Sequence, residues 1–270
     1  MPTKVDRVFG IKQKLNRAQT HLEELIVVVE KFMNENEDPY VIEEDIATGA
    51  MQYKVKFKTP IPEILPVLIG DVIHNLRCAL DHLIWQLVES NGQIPHNRTS
   101  FVVCKIKNSY DSAKSNALRG LSNEVLDLFE SIQPYNSNSG IQQLTILDDL
   151  DNYDKHRKLV VGAVQMLKVV ISSMKLYPID QLPKEEKDPI SLDLGLSASS
   201  KNGSRILKEG DVVATFPKGR EYKNQFGFTL RVAFDEPEFV RNELVRLLLL
   251  DLFETVESII KRFEPYLTSS

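Results

Sequence analysis

Cysteine is nearly absent: the 270 residues hold two, Cys78 and Cys104. That excludes a disulfide framework, and no cysteine pairs stand at the spacing of a structural zinc site. Long apolar runs are missing too. The longest, LVRLLLLDLF, is interrupted by Arg246 and Asp251 and is too short to span a bilayer. The opening stretch, MPTKVDRVFGIKQKLNR, has no apolar centre of the kind a signal peptide needs. There is no excess of positive charge: 33 Lys and Arg stand against 38 Asp and Glu, a net charge of −5. Nothing therefore pulls the whole chain toward nucleic acid or an anionic membrane, and an RNA-binding role needs a local basic patch. Also lacking are a glycine-rich phosphate loop, a dinucleotide fingerprint and a G-x-S-x-G elbow. These absences describe a soluble protein of a reducing, cytoplasmic compartment, with no membrane contact and no cofactor. The sequons at Asn97 and Asn202 then carry no glycan.

What is present is globular. Hydrophobic residues make up 42% and charged residues 26%, enough for one large domain or two small ones. Residues 4–35 space Leu15, Leu22, Leu25, Ile26, Val29 and Phe32 as a long amphipathic helix does. Residues 39–58 read as a hairpin turning near Thr48-Gly49, with Tyr53, Val55 and Phe57 alternating with Lys54, Lys56 and Lys58. Pro60, Pro62 and Pro66 lead into a helix over 69–88 that Asn91-Gly92 closes. A strand is expected at Ser100–Lys105, one or two short helices over 109–133, and a helix from 140 to 163. Between 165 and 235 the period changes to two. Ile190 to Leu196, Val212 to Phe216 and Phe226 to Phe234 alternate as an antiparallel meander would. A closing helix over 237–265 is apolar on nearly all sides, which suits a central position or half of a dimer contact. The expected fold class is α+β: a mainly helical bundle with a small antiparallel meander inserted before the last helix. The expected segments are a bundle with a short hairpin at 1–164, the insert at 165–236, and the closing helix at 237–270.

The helix over 69–88 carries the most information. Ile69, Val72, Ile73, Leu76, Ala79, Leu80, Leu83, Ile84 and Leu87 form an ordinary core face. The opposite face holds Asp71, His74, Asn75, Arg77, Cys78, Asp81, His82 and Trp85. Two histidines, a cysteine and the lone tryptophan are types that tend toward burial. Such a face calls for a cover: another helix, a second subunit or a ligand. A second constellation is DDLDNYDKHRKL, from Asp148 to Leu159. There Asp154 and Arg157 share the core stripe with Leu147, Leu150, Tyr153 and Val161, and can pair at i,i+3. Lys155 and His156 point away from that stripe. A buried ion pair gains little stability, because desolvation offsets the attraction. Its presence therefore implies a specific role, either locking helix register or fixing a partner on the facing helix. If the two helices face each other, their polar faces converge on one site.

Arginine holds a phosphate bidentately and histidine passes protons near neutral pH, so Arg77 and His82 are the types that cleave a phosphodiester. On one continuous helix, however, they point about 140° apart. Arg77-Cys-Ala-Leu-Asp-His82 resembles the R-x4-6-H motif of the HEPN superfamily, small helical bundles common in bacterial toxin–antitoxin and antiphage systems. The pairing of HNLRxALDHL with a later DKHR also resembles a set of bacterial proteins without an assigned function. The HEPN resemblance implies metal-independent RNA cleavage, with two motifs meeting across a homodimer interface. Arg77 would hold the phosphate and His82 would act as acid and base. His74, Asn75, Asp81, Asp154, His156 and Arg157 would support them. The partners implied are a second copy, an RNA substrate, and an antitoxin or regulator protein. The chain departs from the family pattern at Cys78, where a polar residue usually follows the arginine.

Two other readings remain open. Asp71-x-x-His74 is similar in spacing to the carboxylate–histidine pairs of di-metal bundles. His82 would be a further ligand beside Asp71 and His74, while His74, Cys78 and His82 stand at i, i+4 and i+8, and Asp148, Asn152 and His156 repeat that spacing. The plainer alternative is a non-catalytic helical interaction protein whose polar seam sets its dimer register. Among lesser features, Lys54, Lys56 and Lys58 suit either an RNA backbone or a guarded edge strand. Thr215–Arg220 suits an anion or a solvated turn. His21 and His96 read as surface residues.

Overall fold

The computed structural model describes residues 4–37, 39–136, 140–156, 167–170, 206–207, 209–216, 232–234, 236–241 and 243–268. The chain is α+β, and its contacts divide it into two units. One comprises residues 1–26, 63–163 and 236–270, the other 27–62 and 164–235.

The first unit is helical. The long helix α1, Lys4–Glu35, contributes its residues up to 26. Helix α2 covers Leu65–Ser90, a turn longer at its start than the apolar pattern predicts. Pro66 lies in its first turn, where the missing N–H has no partner to lose. It ends at Asn91, and Gly92 follows at φ +66°, the left-handed conformation that closes a helix. Every residue of the predicted core face is buried, from Ile69 to Leu87. Two short helices follow, α3 at Lys107–Lys114 and α4 at Asn123–Ser131. The side chain of Ser122 caps α4 by accepting from the N–H of Val125. Helix α5 spans Gln143–His156, and α6 spans Val245–Phe263. Phe101, Tyr110, Phe129 and Phe263 are fully buried, with the Phe101 and Phe129 rings edge to face at 4.9 Å.

The closing helix is shorter than expected. A single 3-10 turn at Glu238–Val240 precedes α6, and another at Glu264–Thr268 follows it. Its apolar surface is also less uniform than the composition suggests. Leu248, Leu249, Leu252, Val256, Ile259, Ile260 and Phe263 are buried, while Leu247 is 58% exposed.

The expected strand at Ser100–Lys105 does not form. Its backbone groups are taken by side chains instead of a neighbouring strand. The Phe101 N–H donates to Asp81, the Phe101 carbonyl accepts from Arg77, and the Cys104 N–H donates to Gln133. Side chains from elsewhere in the unit hold the segment, and no sheet does.

In the second unit, the expected hairpin is present as β1, Tyr40–Glu44, and β2, Met51–Val55. Asp45 organises its turn by accepting from the N–H groups of Ala47 and Thr48. The other strands are β3 at Leu167–Val170, β4 at Ile206–Leu207, β5 at Val212–Phe216 and β6 at Val232–Phe234. They do not form a sequential meander. β5 pairs antiparallel with β2 in the order β1-β2-β5, and β3 lies between β4 and β6. The hairpin expected with the bundle thus shares its sheet with a strand of the expected insert.

That order also corrects the reading of the lysine stripe. β2 is a central strand, so Lys54 does not guard an edge. It pairs across the sheet with Glu43 at 2.8 Å and holds that carboxyl below its usual range. Asn36 closes α1 here. It is buried, donates to the Phe32 carbonyl and Thr59 hydroxyl, and accepts from the N–H of Lys58. The alternation at Ile190–Leu196, the Phe226–Leu230 part of the last expected strand, and Pro217–Arg220 lie outside the described residues.

Candidate functional site

The seam between α2 and α5 brings the two polar constellations together. Arg77 projects from α2 and is buried. Its Nη2 donates to the Phe101 carbonyl at 3.0 Å. It also lies 3.6 Å from Asp148 and 4.0 Å from Asp81, while Nε is 3.8 Å from Asp151. Three carboxylates therefore surround one guanidinium. Nε and Nη1 are nonetheless buried without a hydrogen-bond partner among the described residues. The attraction to the carboxylates is coulombic, at 3.6–4.0 Å from Nε and Nη2, without the short donor–acceptor contacts of a bidentate clamp.

Asp151 is the anchor of this cluster. It is buried, takes a 2.7 Å bond from Lys155, and stands 3.7 Å from Nδ1 of His74. Burial raises the Asp148 carboxyl above its usual range, with the attraction of Arg77 only partly opposing it. Burial also pushes the Cys104 thiol up to about 11, with the charge of Asp148 adding to the rise.

The supporting residues distribute as follows. His74 is 48% exposed at its side chain, and its Nε2 stands 3.4 Å from the Cys78 sulfur. Cys78, His74 and Asp151 thus occur in the order nucleophile, base, orienter. The Cys78 thiol is nevertheless raised by burial, which outweighs the cationic pull of Lys14 and Lys155. Asp151, moreover, is already engaged by Lys155. Asn75 is buried and turns back to bond the Asp71 carbonyl of its own helix. Asp81 binds the Phe101 N–H at 2.9 Å. Asp154 lies against Gly70: a Cβ there would meet the Asp154 carboxylate at 3.0 Å. His156 ends α5, and Arg157, the expected partner of Asp154, lies outside the described residues.

His82 is not part of this cluster. It is exposed and leans on Gly10 of α1, where a Cβ would meet its Nδ1 at 3.0 Å. Within one chain, Arg77 faces α5 and His82 faces α1, in keeping with the angle between them on the helix. The metal alternative also fails to assemble. Asp71 faces His21 of α1 at 3.8 Å, His74 faces Asp151, and His82 lies at Gly10. Among the described residues, no three His, Cys, Asp or Glu side chains gather as metal ligands.

Two residues differ from the expectation set by the sequence. His21 is 7% exposed, not a surface residue. It follows Ala18 and precedes Leu22 and Leu25, all buried, so helical spacing already puts it on the core stripe. The carboxylate that meets Arg77 from the core stripe is Asp151, where the sequence pattern singles out Asp154. Asp151 stands four residues after Leu147, one turn along the same stripe, and that spacing is a usable signal. Phe101, whose carbonyl binds Arg77, carries no signal, because a backbone acceptor looks alike at every position.

No protein-family model, no curated protein and no solved structure matches this chain. No described helix is long and apolar enough to cross a membrane.

Proposed function

We propose that the chain is a non-catalytic helical interaction protein of HEPN-like build, in which Arg77 is a structural cation. The observation that carries this reading is the enclosure of its guanidinium by Asp81, Asp148 and Asp151. A phosphodiester approaching Arg77 would meet three carboxylates, and like charge in a part-buried site opposes it strongly. The arginine's role is then to hold α2, α5 and the 101–104 segment in one arrangement, through the Phe101 carbonyl on one side and the α5 carboxylates on the other.

A second reading is favoured by a different observation. His74, His82 and Trp85 are all exposed on one strip of α2, as a face awaiting a second copy would be. On this reading the protein is a metal-independent endoribonuclease of a toxin or antiphage system, and a homodimer brings His82 of one protomer toward the partner's motif. The assay that separates the two is RNA incubation with purified protein in EDTA. The structural reading expects no cleavage, and expects Arg77→Ala to lower stability by about 3 kcal/mol, since it strands buried carboxylates. His82→Ala, at an exposed position, should change stability little. Cleavage leaving a 2′,3′-cyclic phosphate, lost in both His82→Ala and a folded Arg77 variant, overturns it in favour of the nuclease.

A further inference from the structure

A cavity of about 730 Å³ lies beyond the C-terminal end of α2, between residues 92–98 and 115–120. It is separate from the Arg77 cluster, and its lining is chemically one-sided. Arg98 and Arg119 both line it, and neither makes an ion pair with any described residue. Asn97, Asn116 and Gln93 add neutral amides, and no Asp or Glu is among the described residues lining it. On a chain with five more acidic than basic residues, two arginines sharing a cleft without a carboxylate is not the expected distribution. Three other cations of this unit stand against carboxylates instead: Arg77 in its carboxylate cage, Lys105 beside Asp149, and Lys107 beside Asp111 and Glu130.

The two arms of the cleft are tied together by His96. Its Nδ1 accepts the N–H of Arg98 at 3.1 Å, which leaves Nε2 as the protonated nitrogen. Nε2 lies 3.1 Å from the Asn116 carbonyl, so it donates there. Both ring nitrogens are occupied, and the histidine braces the two arms. Asn91 adds a bond from its side-chain amide to the Gly120 carbonyl at 2.9 Å. The guanidinium-bearing segments are therefore held at a set separation before any ligand arrives, which lowers the ordering cost of binding.

We propose that this cleft binds a small phosphorylated molecule, its phosphate held between Arg98 and Arg119. The guanidinium fork matches phosphate oxygens bidentately. The volume falls within the range of about 300–1,000 Å³ usual for small-ligand sites, and exceeds what a lone orthophosphate needs. The amides of Asn97, Asn116 and Gln93 supply donors and acceptors for the non-phosphate part.

The test is calorimetric titration of the full chain with inorganic pyrophosphate and with ribose 5-phosphate, at about 0.15 M salt. A 5′-phosphorylated single-stranded RNA and its 5′-hydroxyl counterpart form the parallel arms. The expected result is 1:1 saturable binding of at least one small phosphate. Arg98→Gln and Arg119→Gln should each weaken it roughly tenfold, as the loss of one charge-assisted contact does. Arg17→Gln, on α1, should leave it unchanged. Because Arg98 and Arg119 are exposed, these variants should keep the wild-type melting temperature, so lost binding is not lost folding. Three results overturn the proposal: no binding of either small phosphate at millimolar concentration, binding that both glutamine variants retain, or binding of RNA alone.

Discussion

Asp148 shows how a single carboxylate can oppose the fold that holds it. Its carboxyl is raised by burial despite the guanidinium of Arg77 at 3.6 Å. A raised folded-state value means that the native protein binds the proton more tightly than the unfolded chain does. Stability contributed by the protonated form is then lost as pH rises from the ordinary carboxylate range through the raised value. The charged form at neutral pH therefore costs stability, and Asp148→Asn removes that cost. Urea denaturation from pH 4 to 7 should show the variant gaining on the wild type as pH rises. A constant difference across that window would mean that Arg77 fully compensates the burial.

At the scale of elements, α2 is the organising helix, and two glycine contacts set how closely other helices approach it. A Cβ on Gly70 would meet both Asp154 oxygens, at 3.0 and 3.1 Å. Gly70 is buried and Asp154 is half-buried in the facing helix, so the carboxylate has little room to retreat. Gly70→Ala should lower stability by about 1–3 kcal/mol, the usual cost of overpacking. Gly10 of α1 offers the contrast. Its Cβ would meet the ring of His82, an exposed side chain that can swing away. There the gain in helix propensity, up to about 1 kcal/mol, should prevail. Thermal unfolding of the two alanine variants should therefore shift in opposite directions. Equal destabilisation by both would mean that α1 confines His82 as tightly as α5 confines Asp154.

For the whole molecule, the informative surface is the strip of α2 that the described residues leave open. Trp85 is 40% exposed there, bonded along its own helix to Glu89 at 3.1 Å. Large aromatics in the open mark contact surfaces more often than isolated aliphatics do. If a second copy covers this strip, light scattering should give a dimer at tens of micromolar. The fluorescence of Trp85, the lone tryptophan, should shift to the blue with concentration. Trp85→Ala should return the protein to a monomer with its fold intact. A wild-type monomer at that concentration, with concentration-independent emission, removes the dimer and the nuclease reading that needs it. Helical content and the hairpin are visible in the periodicity of apolar residues, because that pattern reports which face of an element is buried. The sharing of a sheet by β2 and β5 is not visible, because strand pairing between residues so distant in sequence leaves no local trace.

The candidate site divides along the same line. The residues that carry charge or a ring onto α2 are legible from the chain alone: helical spacing is local, and it puts Arg77 and His82 on different sides of the helix. The expectation that α2 faces α5 rests on the same periodicity, and Arg77, Asp148 and Asp151 meet there. Which carboxylate answers the arginine is another matter. Asp148, Asp151 and Asp154 lie at successive three-residue steps on α5, and the rotation of that helix against α2 selects among them. Asp154 goes to Gly70, and the first two go to Arg77. The strand expected at 100–105 falls to the same cause. Its local pattern permits an extended chain, but Asp81, Arg77 and Gln133, side chains from elsewhere in the chain, take its backbone groups before any strand can. Local preference sets the elements, and the packing of distant elements sets their partners, because only packing removes water from the polar groups that must then be satisfied.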